Sequence, residues 1–228
     1  MRSEPVVAVP ASQLNVCVEC GAQLNGAVAP HACAACGRVQ PLTASSSRDP
    51  FVVFGAERKF AQDRAVLQKR LFELSRALHP DRFARAADEV KQASLERMGL
   101  INEAYRLLND RGALRDFLIS ESGLSEKASR GAEDLELAER WFELQEKVEE
   151  NTCRQEKLGM LEVFERELAE YLELASKEMT RLEQDFDQGL GRGATSTLAE
   201  MVVIQHRSNT LQSMLRDLNR LKSRMGLS

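Results

Sequence analysis

The sequence predicts an all-α fold: a helical hairpin followed by a C-terminal antiparallel three-helix bundle, preceded by a small four-cysteine module. Three observations carry that expectation. Leu, Ala, Glu and Arg dominate while aromatic residues make up only 5% of the 228 positions, a bias toward helices over sheets. Beyond residue 49 the apolar residues recur at helical spacing almost to the end of the chain. Four of the five cysteines crowd into residues 17–36.

Each element can be justified in turn. A Thr-Ala-Ser-Ser-Ser linker at 43–47 separates the cysteine module from the helical part, and no internal repeat is evident. Asp49-Pro50 reads as a helix opening, with Asp as N-cap and Pro at the first helical position. It starts a short apolar segment, Phe51-Val52-Val53-Phe54, which Gly55 ends. Asp63 caps a second helix, on which Leu67, Leu71, Leu74 and Leu78 share one face. Pro80 stops it, because proline disfavours helical geometry in the residue before it. A third helix is expected over 88–108, with Met98, Ile101, Tyr105 and Leu108 on its buried stripe. The short loop between the two contains His79-Pro80-Asp81.

A short helix near 113–121 should end at Gly123, and three longer helices should follow over 133–151, 154–188 and 194–225. Leu137, Trp141, Leu144 and Val148 define the inner face of the first. Leu158, Leu161, Leu168, Leu172, Ala175, Met179, Leu182 and Phe186 track the second. Gly189, Gly191 and Gly193 break the chain before the third, whose stripe includes Leu211, Leu215, Leu218 and Met225. Three amphipathic helices with tight connections bury their stripes against one another.

Cys17-x-x-Cys20-Gly21 and Cys33-x-x-Cys36-Gly37 form a paired CxxC pattern with twelve residues between. Two residues between cysteines let both sulfurs of a tight turn face one ion, and the glycine permits the positive φ that bends the turn. Two such knuckles supply a closed set of four thiolates, the donor set of structural zinc. Zinc is the favoured occupant, with disulfides, an iron site or a redox pair as alternatives. A closed site leaves no position for catalysis. A module this short should gain its fold from the metal. His31 is expected as an exposed loop residue, and Cys153 as a partly buried thiol.

The net charge of −4 is unevenly spread. Residues 48–120 carry 14 Lys/Arg against 11 Asp/Glu, residues 121–190 carry 9 against 20, and residues 191–228 carry 6 against 2. Neither this pattern nor the cysteine segment, whose only cations are Arg2 and Arg38, suits a nucleic-acid binder. No apolar run is long enough to span a membrane, and the first residues lack the features of a secretory signal, so a cytoplasmic location is expected.

His79-Pro80-Asp81 lies between a basic amphipathic helix and a second helix running back. Pro80 stiffens the turn, so His79 and Asp81 should stand exposed on a rigid support, which suits recognition. Lys69, Arg70, Arg76 and Arg82 would steer it onto an acidic partner. No nucleophile, second base or phosphate loop accompanies the pair, so an enzyme is not expected.

These residues identify a resemblance. Asp49-Pro50-Phe51-Val52-Val53-Phe54-Gly55, Leu78-His79-Pro80-Asp81-Arg82-Phe83, Ile101-Asn102-Glu103-Ala104 and the acidic stretch Glu143–Glu150 resemble corresponding segments of HscB-type J-domain co-chaperones. The paired CxxC knuckles resemble an N-terminal extension found in some members. The resemblance implies a J-domain over 48–122, after a zinc-knuckle module and linker over 1–47, and a scaffold-binding three-helix domain over 123–228.

It further implies that the protein stimulates the ATPase of a heat shock protein 70 class chaperone, of HscA or DnaK type, and delivers an IscU-type iron–sulfur scaffold protein to it. His79, Pro80 and Asp81 would engage the chaperone, supported by Arg70, Arg76 and Arg82. Ala138, Glu139, Phe142, Glu143, Glu146 and Glu150 would face the scaffold. Cys17, Cys20, Cys33 and Cys36 would hold structural zinc. Phe142 lies off the Leu137–Trp141–Leu144 stripe, and periodicity alone leaves open whether it is an exposed anchor or a wider part of the core.

Departures from the family pattern occur at four places: Ala138-Glu139 stand where Leu-Met is common, His206-Arg207 where an aromatic is common, Leu78 for Tyr and Arg82 for Lys. The competing readings are a general J-protein with another client and a zinc-ribbon regulator with a helical dimerisation domain. A homodimer through the long helices is also open. A hydrolase built on His79 and Asp81 has no supporting residues.

Overall fold

The structure is a computed structural model and describes residues 16–24, 31–42, 46–124, 132–189 and 194–227. Arg2, the linker positions 43–45, and Gly191 and Gly193 lie outside the described residues. Among the described residues, seven α-helices follow the cysteine module: α1 (Pro50–Phe54), α2 (Arg64–Leu78), α3 (Asp88–Asn109), α4 (Arg111–Glu121), α5 (Ala132–Glu150), α6 (Arg154–Gln188) and α7 (Ala194–Arg224). The loop expected between α2 and α3 is instead wound into a short 3₁₀ turn, Pro80–Phe83. The chain divides into two compact units, Met1–Leu114 and Arg115–Ser228, and α4 runs from the first into the second.

In the first unit, the capping chemistry sets the helix ends. Asp49 Oδ1 accepts from the Phe51 N–H at 2.8 Å, and Gly55 closes α1 at φ 67°, a left-handed conformation that suits glycine. Asp63 accepts from the N–H groups of Ala65 and Val66 at the start of α2. α1 and α2 both pack on α3. Phe54, Leu74, Leu78 and Ile101 are fully buried there, each contributing about 1.5–3 kcal/mol relative to exposure. The Phe54 ring lies 6.0 Å from that of Tyr105.

In the second unit, α5, α6 and α7 form the three-helix bundle. Its core holds Leu137, Trp141 and Val148 from α5, Leu161, Phe164 and Leu168 from α6, and Leu211, Met214, Leu218 and Leu221 from α7. Trp141 stacks on Phe164 with centroids 5.5 Å apart. The boundaries expected from the sequence agree with the helices to within two residues. The cause is local: Pro, Gly and Asp sit at the ends, and the stripes run unbroken between them.

Candidate metal centre and exposed recognition surfaces

The cysteine module is two copies of one knuckle, sixteen residues apart, a repeat that the sequence reading did not register. Val16 bridges to Gln23 in the first and Ala32 to Val39 in the second. Gly21 N–H donates to the Cys17 carbonyl at 3.0 Å, and Gly37 N–H to the Cys33 carbonyl at 2.9 Å. Both glycines have φ near 70°, the conformation each turn requires.

The four sulfurs lie within 4.8 Å of one another, with Cys17–Cys36 at 3.6 Å and Cys20–Cys33 at 3.7 Å. Four thiolates about 2.3 Å from a single ion would stand about 3.8 Å apart at the corners of a tetrahedron. Two of the sulfur pairs already hold that spacing, and all four cysteines are free thiols and not disulfides. Backbone N–H groups of Cys20 and Glu19 and the Gln40 side chain hold Cys17 down to about 6 against the opposing effect of burial. The sulfur spacing fits a metal ion held by four thiolates.

His31 differs from expectation. It is fully buried, and its Nε2 lies 2.8 Å from the Val53 carbonyl of α1. Burial pulls the imidazole down to about 4, so it is neutral near pH 7. A carbonyl only accepts, so the proton sits on Nε2, and the buried Nδ1 has no partner among the described residues. The residue was misread because its burial comes from a contact 22 positions away, which no local pattern announces. Cys153 is also corrected: it is exposed, at the N-cap of α6, where the chain enters the helix beside solvent.

Arg97 and Gln40 were missed altogether. Arg97 is 4% exposed on α3, and its guanidinium donates to the carbonyls of Gln40 at 2.8 Å and Pro41 at 3.0 Å. Gln40, equally buried, donates from Nε2 to Cys17 Sγ at 3.4 Å and accepts the Val18 N–H at 3.0 Å. A signal for Arg97 was present: it falls in phase with Val90, Ser94, Ile101 and Leu108 on the buried stripe of α3.

The His-Pro-Asp turn caps the C-terminus of α2. His79 and Asp81 are exposed, at 54% and 91% of their side chains, and His79 Nδ1 accepts the Asp81 N–H at 3.3 Å. Two side chains brace the turn from behind. Ser94, fully buried on α3, donates to the Leu78 carbonyl at 2.6 Å. Arg82 donates to the carbonyls of Arg76 and Ala77 at 2.9 and 3.4 Å, satisfying the free end of α2. Arg76 is exposed, whereas the half-buried Arg70 donates to the Phe54 carbonyl at 3.3 Å and so ties α2 to α1. Ser94→Ala would leave the Leu78 carbonyl buried and unpaired, at a cost of about 1–3 kcal/mol in chemical denaturation of the first unit. A loss below about 0.5 kcal/mol would remove Ser94 from the brace.

On α5, Phe142 is 68% exposed, which decides between the two readings of its position. Leu135, which sequence reasoning passed over, is 54% exposed and lies seven residues earlier on the same face. Glu139 and Glu146 alternate with the two apolar residues along this line, and Glu143 and Glu150 are exposed beside it, while Ala138 is half-buried against the core.

No family model matches the chain. The chain is similar to the co-chaperone protein HscB homolog of Vibrio campbellii, at 23% identity over 163 residues, covering 71% of this chain and 94% of the relative. The HscB homolog of Shewanella sp. (strain W3-18-1) is 32% identical over 115 residues, which cover 49% of this chain and 66% of that protein. Among solved structures, the human co-chaperone protein HscB shares the fold with a TM-score of 0.58 at 21% identity, covering 91% of this chain and 98% of that one. Among the described residues no helix is long and apolar enough to cross a membrane. With its helical hairpin and three-helix bundle, the chain resembles the HscB-type co-chaperones in sequence and in fold, and carries a four-cysteine cluster ahead of the hairpin.

Proposed function

We propose that this protein stimulates the ATPase of a heat shock protein 70 class chaperone and delivers an iron–sulfur scaffold protein to it. The observation that carries the reading is the exposed His79–Asp81 pair on a turn braced from behind by Ser94 and Arg82. A rigid, solvent-facing polar group costs little ordering entropy on docking, so its contacts add to affinity. Arg76 and Lys69 stand exposed on α2 and supply the positive field that favours an acidic partner. Pro80 holds the first position of the 3₁₀ turn.

The scaffold-facing surface on this reading is the α5 line of Leu135, Glu139, Phe142 and Glu146, with Ala138, Glu143 and Glu150 at its margins. Two exposed apolar side chains set among acids form an anchor with a polar rim. Leu135 offsets the apolar area lost at Ala138-Glu139. Phe142→Ala should weaken scaffold binding by about 2 kcal/mol, roughly thirtyfold in Kd, by isothermal titration calorimetry. An unchanged Kd would take Phe142 off the surface.

The cluster is read as structural zinc held by Cys17, Cys20, Cys33 and Cys36. Metal analysis should give zinc in equal amount to protein, and a visible absorption band from anaerobically purified protein would point to iron instead. The function itself is tested by steady-state ATP hydrolysis of candidate chaperones, with and without this protein and the scaffold. Stimulation that rises further with scaffold is the expected result. Stimulation indifferent to scaffold would leave a general J-protein, and no stimulation of any chaperone would overturn the J-domain reading.

A further inference from the structure

The cysteine module is not a free appendage, and the bonds that fasten it lead toward the His-Pro-Asp turn. Gln40 ties both knuckles together. Its Nε2 donates to Cys17 Sγ and to the Arg38 carbonyl, and its backbone N–H donates to the His31 carbonyl. Its own carbonyl accepts from Arg97 Nε at 2.8 Å. One turn earlier on α3, Ser94 holds the Leu78 carbonyl, adjacent to His79. A second attachment runs from His31 to the Val53 carbonyl in α1.

From this arrangement we propose that metal occupancy of the four-cysteine cluster controls the order of the His-Pro-Asp turn, through Gln40, Arg97 and Ser94. The physical argument concerns groups that cannot be left alone. Arg97 is a buried cation whose recorded partners are two carbonyls of the module. A segment this small owes its fold to the metal, so removing the ion unfolds it. Arg97 and the Val53 carbonyl then lose their partners inside the first unit, and a buried unpaired charge is tolerated only if the structure around it opens to water. Opening at Arg97 frees α3 at the turn that carries Ser94, and with it the brace behind His79. Spatial continuity alone does not establish coupling, so the test measures it directly.

Hydrogen exchange of the full chain would be followed with the metal bound and after removal by a chelator. The amides of Asp81, Arg82 and Ala84, which bond within or next to the turn, report on its order. In the native sequence, removal should speed their exchange by about tenfold, alongside loss of protection over residues 31–42. In Arg97→Met no buried cation is stranded when the module unfolds, so the turn should stay protected with metal bound and chelation should add little. Ser94→Ala cuts the same link more gently: metal dependence should vanish at Asp81 and Arg82 but persist at Val53, which His31 reaches independently.

A merely structural Arg97 would lower protection yet leave the metal dependence intact, and that outcome would overturn the proposal. So would native protein that loses protection over residues 31–42 on chelation while Asp81 and Arg82 stay unchanged. That comparison needs no substitution and stands even if Arg97→Met fails to fold. The readout does not involve the chaperone, so it is separate from the proposed ATPase stimulation.

Discussion

In His79→Gln, chaperone ATPase stimulation is expected to fall to the basal rate, while the thermal midpoint and helical circular dichroism stay those of the native protein. Half of the His79 side chain is exposed, and its recorded contacts are local ones to Asp81. Surface substitutions of this kind stay within about 0.5 kcal/mol of the parent. The turn itself is held by Ser94 on the Leu78 carbonyl and by Arg82 on the end of α2, bonds that do not involve the imidazole. Loss of stimulation can therefore be assigned to recognition. Asp81→Asn should behave alike, because Asp81 is 91% exposed and supports nothing in the core. Ser94→Ala should give a different pattern, with lower stability and weaker stimulation together. If His79→Gln stimulated as well as the native protein, the turn would have no part in the chaperone contact.

The helices were legible because their causes are local. Asp49, Asp63, Gly55 and Gly189 mark ends through their own side chains or backbone freedom, and each stripe is written along a single segment. The metal ligands were legible for the same reason, since two residues between cysteines fix a turn. Leu135 and the 3₁₀ turn were less so. What the sequence hid is the set of buried polar residues joining segments that lie far apart in the chain. His31 meets Val53 across 22 positions and Arg97 meets Gln40 across 57, and composition marks both residues as polar and so normally exposed. Ser94 and Arg97 sit in phase with the apolar stripe of α3. A polar residue at a stripe position is either a break in the pattern or a buried group with a distant partner, and here both have partners.

A buried polar group with a distant partner also sits in the second unit. Glu183, 2% exposed on α6, receives the Arg115 guanidinium of α4 at 2.5 Å. Arg115 Nε is buried with no partner among the described residues, so this carboxylate carries much of the compensation for the cation. Glu183→Ala should cost about 1–3 kcal/mol, because it leaves the partly buried Arg115 cation without this carboxylate. Replacing both residues with Met should recover most of the loss, since the penalty lies in the isolated charge and a buried pair contributes little net stability. Trp141 is the only tryptophan and stacks on Phe164 in the bundle core, so urea unfolding followed by its fluorescence reports this unit alone. A cooperative bundle will show the full cost in fluorescence and circular dichroism alike. If circular dichroism shifts while Trp141 does not, the end of α6 bearing Glu183 opens independently of the end packed on α5. A single substitution costing less than about 1 kcal/mol by both probes would mean that water reaches Arg115, and the pair would then count as a surface contact.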